Sequence, residues 1–350
     1  MATDLVIGLG ATPFITAYPW SAGFGTKYTD PGVLPAGFGK GTAMSPLGTY
    51  VAVAHTTTPF VTAYPWSGAG FGTKIANPGT LPVGNGYGVA FSPSGADIIV
   101  GHLSSPRVSA YPWTTGFGTK YSDPGTLPNG YGFFVGFRPS GTEVAVSHDS
   151  TPWISVYPWS GSGFGTKFTN PATLPGAYGR GVAWSPSGND LALAHGNTPF
   201  VSAWPWSSGF GTKYTNPATL PAQYGHGVAF SPSGADLAVA HDFSPWVSAY
   251  PWSGSGFGTK YTNPGVTPTG VGEGVAWTLE GTDIAVAHRV SPFVTAWPWS
   301  AGFGTKYADP GVALAGNSVG VTFTPALPLQ GPTPALPVGV IFYNDTAYYF

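Results

Sequence analysis

Four consecutive runs decide the fold: Gly181-Val-Ala-Trp-Ser-Pro-Ser-Gly188, Asp190-Leu-Ala-Leu-Ala-His195, Pro199-Phe-Val-Ser-Ala-Trp-Pro-Trp206 and Phe210-Gly-Thr-Lys-Tyr-Thr-Asn-Pro217. Each is short and β-prone, and Gly, Pro, Ser and Asn turns separate them. The whole unit recurs seven times. Its marker, Tyr-Pro-Trp or Trp-Pro-Trp followed by Gly-Phe-Gly-Thr-Lys, puts Trp at 20, 66, 113, 159, 206, 252 and 299, so the spacing alternates between 46 and 47. A period of about 40 to 50 residues holding four β runs reads as a β-propeller with one blade per repeat.

The 350 residues would suggest two domains by length alone. Seven blades closing into one ring make a single domain over residues 1–325. Gly and Pro, 53 and 37 residues, recur at fixed positions, which makes them turn chemistry and not a sign of disorder. Aromatics at 15% supply a core. Charged residues are only 7% with a net charge of −2, and no basic stripe exists, which argues against nucleic acid as a partner. Absence of Cys removes disulfides, thiol catalysis and thiolate metal sites. The first ten residues lack a basic region and a long apolar core, so no secretory signal is read there and synthesis in the cytoplasm is expected. No apolar run reaches 18 residues, so membrane insertion is not expected.

We label the four runs a to d, with a innermost. Asp4-Leu-Val-Ile-Gly-Leu9 aligns with Asp97-Ile-Ile-Val-Gly-His102 and is therefore a strand b. The last strand a, Gly320-Val-Thr-Phe-Thr-Pro325, has no strand b after it. The seventh blade is thus composite, with a from the C-terminal end and b, c and d from residues 4–31. Such a splice ties the ring shut and leaves only short edges.

Val228-Ala-Phe-Ser-Pro-Ser-Gly234 resembles the inner-strand phrase of the WD-repeat family, and the Trp closing strand c sits where that family ends its third strand. The resemblance spans nearly the whole chain and implies a seven-bladed, four-stranded propeller. The Gly-His and Trp-Asp pairs of the family are absent, so its hydrogen-bonded tetrad is not carried over.

Loops a–b and c–d leave one face of a propeller; b–c and d–a leave the other. The first pair is nearly invariant among the repeats. The second pair differs blade by blade. Beside the glycines that begin strand a stand Lys40, Tyr87, Phe133, Arg180, His226, Glu273 and Val319, and two residues earlier Phe38, Asn85, Tyr131, Tyr178, Tyr224, Val271 and Asn317. The b–c loops vary through Thr56-Thr57, Asp149-Ser150, Gly196-Asn197, Asp242-Phe243 and Arg289-Val290. The first set should ring the mouth of the axial channel. Its aromatics, with Tyr131, Tyr178, Tyr224, Phe38 and Phe243, suit sugar rings or a protein interface.

Six repeats end strand b in His, at 55, 102, 148, 195, 241 and 288, with Leu9 in the seventh. One His per blade is too widely spaced for shared metal coordination, so each is expected to be structural, bonded to loop backbone. Neither a metal nor a cofactor is expected. Asp4, Asp97, Glu143, Asp190, Asp236 and Asp283 open strand b, and Lys27, Lys74, Lys120, Lys167, Lys213, Lys260 and Lys306 open strand d, which predicts one ion pair per blade. The variable face offers Glu273, Asp149 and Asp242 on different blades and one His, His226, without the spacing of a known catalytic motif, so no enzyme is expected.

Pro325, Pro328, Pro332, Pro334 and Pro337 form a stiff spacer before Val338–Phe350. Ile341, Phe342, Tyr343, Tyr348, Tyr349 and Phe350 make that end apolar, suited either to folding back on the propeller or to docking on another chain by strand addition. Gly-Phe-Gly-Thr-Lys, Thr169-Asn-Pro-Ala-Thr-Leu-Pro175 and Val228–Gly234 are similar to propeller proteins of tailed bacteriophages. That resemblance implies a non-enzymatic virion-surface module, mounted by its tail on another virion or assembly protein. Its variable face would be turned to a glycan or host-surface receptor. A free-standing lectin and a cytosolic interaction scaffold are the alternatives.

Overall fold

A computed structural model of the protein describes residues 3–324 and the backbone of 341–343 and 346–348. Seven three-stranded antiparallel sheets follow one another around an axis. In the fourth, strand a is Gly179–Trp184, strand b Asp190–His195 and strand c Val201–Pro205. The seventh is the expected splice: Thr3–Leu9 lies between Ile15–Trp20 and Ser318–Phe323. Leu5 pairs with Phe323 and Ile7 with Val321, and Asp4 and Thr324 exchange two further bonds of 2.8 Å. The seven-bladed β-propeller is therefore borne out.

The fourth run of each blade is a looser element than the other three. Phe24 bridges Trp20, Gly25 N–H donates to Pro19 O and Tyr28 N–H to Ala17 O; the other blades repeat this pattern. Gly weakens strand pairing and Pro has no N–H to donate, so this rim segment does not sustain a continuous ladder.

Strand b is buried on both faces because a neighbouring blade covers each, so it reads as a nearly unbroken apolar run. Its two faces differ in size. Leu191 and Leu193 pack towards Ala145, Ile154 and Val156 of the preceding blade, while Ala192 and Ala194 receive Leu237 and Val239 of the following one. Large side chains meeting small ones repeat around the ring, so the core is seven layers between blades. Trp20 sits edge-on to Phe24, Tyr307 and Phe323 at 5.1, 5.4 and 5.2 Å, a geometry that aromatic pairs favour.

The predicted Lys–acid pair within each blade does not form. Lys27, Lys120 and Lys306 instead reach Asp30, Asp123 and Asp309, and the other four reach the Asn three residues on. The acid opening strand b has a different task. Asp236 accepts Trp299 Nε1–H of the next blade at 3.1 Å and Tyr261 O–H of its own at 2.7 Å. Asp4, Asp97, Asp190 and Asp283 do the same. In the two blades that lack this Asp, having Tyr50 and Glu143, the Tyr is also replaced, by Ile75 and Phe168, and the next Trp Nε1 (Trp113, Trp206) is unpaired.

The six strand-end histidines are structural, as expected, and each also has a side-chain hydroxyl partner. His55 Nε2 meets Thr62 Oγ1 at 2.9 Å, and the others meet Ser or Thr at the same offset of seven. His241 Nδ1 also lies 2.9 Å from the Asp242 carbonyl, which can only accept, so Nε2 is the unprotonated nitrogen and accepts the Ser248 hydroxyl. Where Leu9 replaces His, Thr16 Oγ1 is buried without a partner. Thr16→Val is expected to raise stability by about 1 kcal/mol, and Thr62→Val to lower it by about as much. Urea midpoints read both, and equal shifts at the two sites would refute the reading.

Ile341–Tyr343 pairs with Thr346–Tyr348, Ile341 opposite Tyr348 and Phe342 opposite Ala347. Pro325, the Pro-rich spacer, Tyr349 and Phe350 lie outside the described residues.

Candidate functional site

The strands a converge on the axis, and glycine permits it. A Cβ on Gly41, Gly88, Gly181, Gly227, Gly274 or Gly320 would fall between 2.4 Å (Gly320) and 2.9 Å (Gly227) from a carbonyl oxygen of the next blade. No side chain fits so close an approach. The residue just before each of these glycines therefore carries the side chain that faces the mouth. That register places Lys40, Tyr87, Arg180, His226, Glu273 and Val319 around one cavity of ≈ 140 Å³, with Phe134 and Arg289 completing its wall. At about 30 Å³ per water, this holds about five waters or one small ligand.

The expected residues divide into a cup and a rim. Lys40, Tyr87, Arg180, His226 and Glu273 line the cup. Phe133 is buried behind it, 5.3 Å from Tyr87, with the Arg180 guanidinium 4.3 Å above its ring. Phe38 and Tyr178 back the two cations: Lys40 Nζ lies 4.0 Å from Phe38, and the Arg180 head 5.4 Å from Tyr178. Such contacts hold a cation in place without neutralising it. Tyr131, Tyr224 and Phe243 stay on the outer rim and do not reach the cup; Phe243 is 62% exposed. Phe134 is missing from the expected set, and Asp242 and Arg289, expected only as variable residues of the b–c loops, also belong to the site.

Asp242 and Arg289 come from b–c loops and turn inward onto strand a. His226 Nε2 lies 2.9 Å from Asp242 Oδ1, and His226 Nδ1 3.7 Å from Glu273 Oε2. Arg289 Nε–H donates to Glu273 Oε1. The His226 hydrogen bond holds the Asp242 carboxyl below its ordinary range. A carboxylate accepts only, so in the neutral imidazole the proton is on Nε2, and Nδ1 keeps its lone pair. Burial pulls the Lys40 ammonium down, and the Glu273 charge acts against that pull. The cup thus joins an oriented base (His226 on Asp242) to two cations, Lys40 and Arg180. Sequence spacing could not show this, because the pair spans a strand and a loop 16 residues apart.

No protein-family model matches the chain, and no curated protein matches it. Solved structures do. The periplasmic gluconolactonase of Pseudomonas aeruginosa superposes with a TM-score of 0.70 at 14% identity, covering 94% of this chain and 100% of that one. A Bacteroides fragilis protein provisionally assigned as a 6-phosphogluconolactonase gives 0.69 at 15%, covering 92% and 98%. Hydrazine synthase of Kuenenia stuttgartiensis gives 0.60 at 18%, covering 80% of each. At these identities the likeness establishes the propeller fold. It also corrects two expectations. The expectation of no enzyme rests on the lack of a known catalytic spacing among Glu273, Asp149, Asp242 and His226, and that of a virion module on the resemblance of the repeat phrases. The structure brings His226, Asp242 and Glu273 together, and the similar rings include a gluconolactonase. The virion, lectin and scaffold readings have no support in these matches.

Proposed function

We propose that the cup is the active site of a hydrolase for a small, polyhydroxylated lactone of the gluconolactone class. The observation that carries this reading is the 2.9 Å His226–Asp242 pair in the same cavity as Lys40 and Arg180. The structural likeness to gluconolactonases and the single-ligand size of the cavity agree with it.

In this reading a water sits on His226 Nδ1 and gives it a proton while its oxygen attacks the lactone carbonyl. Asp242 steadies the imidazolium that forms. Lys40 and Arg180 stabilise the oxyanion of the tetrahedral adduct. When the adduct collapses, the ring C–O bond breaks and the departing alkoxide takes the proton back from His226. The product is the open hydroxy acid, whose carboxylate is left among the same cations. Tyr87 and Phe134 offer ring faces for the carbon skeleton.

The test is hydrolysis of D-glucono-1,5-lactone and its 6-phosphate, followed against the spontaneous rate in the same buffer. The intact protein is expected to exceed that rate, and His226→Asn to lose about 10²- to 10⁴-fold of the excess. Asp242→Asn should retain binding while losing rate. If neither lactone opens faster with protein than without it, or if His226→Asn matches the intact chain, the reading is wrong.

A further inference from the structure

Below the cup the axis continues as a shaft of ≈ 180 Å³ lined by the side chains of Val89, Val182, Val228 and Val275, by Thr42 and by the backbone of the strand-a glycines. Two residues line both spaces, Phe134 and Val319. They belong to the third and seventh blades, roughly opposite each other across the axis.

Phe134 departs from the repeat. The corresponding residue in the other six blades is the glycine that lets strands a approach, at 41, 88, 181, 227, 274 and 320. A side chain there needs local adjustment, and the third blade supplies it. Strand b of that blade carries Ser147, where the others have Ala or Gly. Phe134 N–H donates to Ser147 Oγ at 3.0 Å, and the same hydroxyl donates to the Arg180 carbonyl of the next blade. Ser147 thus restores bonds between strands that the bulky residue would otherwise leave open.

We infer that Phe134 is a specificity-determining residue: its ring is the floor of the cup, and it limits the ligand to about one ring in depth. This rests on the reading of the cup as the ligand site. Without the ring the cup and the shaft form one continuous cavity. Its upper part holds Lys40 and Arg180 and its lower part a ring of valine side chains between glycine backbone, which suits a carboxylate bearing an alkyl chain. Phe134 therefore selects compact polar substrates against amphiphilic ones.

The experiment uses the full chain, Phe134→Gly, which restores the residue of the other six blades, and Phe134→Ala, which keeps a Cβ in case glycine disturbs the strand. Melting curves check folding. Straight-chain carboxylates from acetate to octanoate are titrated by calorimetry. For the intact chain, affinity should stop rising after the shortest members. For the variants it should rise about fourfold for each further methylene buried. Crystals of all three under xenon give a readout that does not involve the cup's charges. Xenon in the shaft should remain separate from the cup in the intact protein and extend into it in the variants.

Identical xenon positions in all three proteins, or identical chain-length dependence, overturn the floor. Xenon that spreads as expected while no carboxylate binds to any of the three upholds the floor and overturns the reading of the cup as an anion site.

Discussion

Between pH 6.5 and pH 4 the protein is expected to unfold in one cooperative step that takes up about five protons. His55, His102, His148, His195, His241 and His288 are fully buried, and burial lowers each to about 4 from an ordinary 6.5. Where Nε2 already accepts a hydroxyl proton, charging the ring also breaks that bond. Because the folded value is the lower one, the unfolded chain binds more protons between pH 4 and 6.5, and stability falls as pH falls through that window. Below pH 4 both states are charged and the loss from these groups levels off.

At pH 5 each His costs about 2 kcal/mol, and the six together about 12 kcal/mol, comparable to the whole stability of a typical domain at about 5–15 kcal/mol. Asp4, whose carboxyl burial raises, acts in the opposite direction by a single proton. Tryptophan fluorescence against pH, with proton uptake from the pH dependence of urea midpoints, measures this. A chain still folded at pH 4, or a transition that absorbs one proton, would show that the rings are not held neutral.

Much of this was legible because one unit is written seven times. The period sets the blade count, and the alignment of Asp4–Leu9 with Asp97–His102 reveals the splice. Splitting loops into an invariant and a variable face also puts Lys40, Tyr87, Arg180, His226 and Glu273 at the mouth of the axis, where they line the cup, since register alone carries them there. The failures have physical causes. The Lys–acid pair was argued from a shared face, but a long side chain three residues from a carboxylate or amide binds locally first, as Lys27 does with Asp30. That left Asp236 and its equivalents free for the Trp–Tyr clamp.

The repeats did hold a signal for that clamp. The two blades without Asp, at Tyr50 and Glu143, also lack the Tyr, at Ile75 and Phe168. Two other signals were of the same kind. The one missing glycine, at Phe134, marks the floor, and the one Ser among small residues, Ser147, marks its support. In each case the informative residue breaks the repeat. What no alignment of repeats could show is which loop residue reaches which strand. The contacts of Asp242 with His226 and of Arg289 with Glu273 depend on the path of the b–c turn, where Phe243 and Trp246 have φ of 63° and 61°.

Removal of residues 1–31 is expected to abolish the fold, with no cooperative melt remaining. Thr3–Leu9 is the middle strand of its blade and is buried along its whole length. Leu5, Val6, Ile7, Leu9, Ile15, Tyr18 and Trp20 are all buried, and at about 1.5–3 kcal/mol for each large apolar side chain their loss is on the order of 10–20 kcal/mol, at or above the stability of a typical domain. The deletion also strips Ser318–Phe323 of its partner. It removes Asp4 from the Trp66 indole, and Trp20 from Asp283. Two blade faces open at once: Ala285, Val294 and Ala296 on one side, Val51, Val53 and Tyr64 on the other.

The six remaining blades cannot simply close the gap. Six of the seven strands a meet the next through a glycine packed too closely against a carbonyl for any side chain, so a smaller ring would need these contacts to rotate. Calorimetric melting and hydrogen exchange of the truncated chain decide the matter. A sharp transition within a few degrees of the intact protein would mean that each blade is stable on its own and that the splice merely seals an edge. Exchange without protection in every blade would mean that the ring folds as one unit, held by the pairing of its two distant ends.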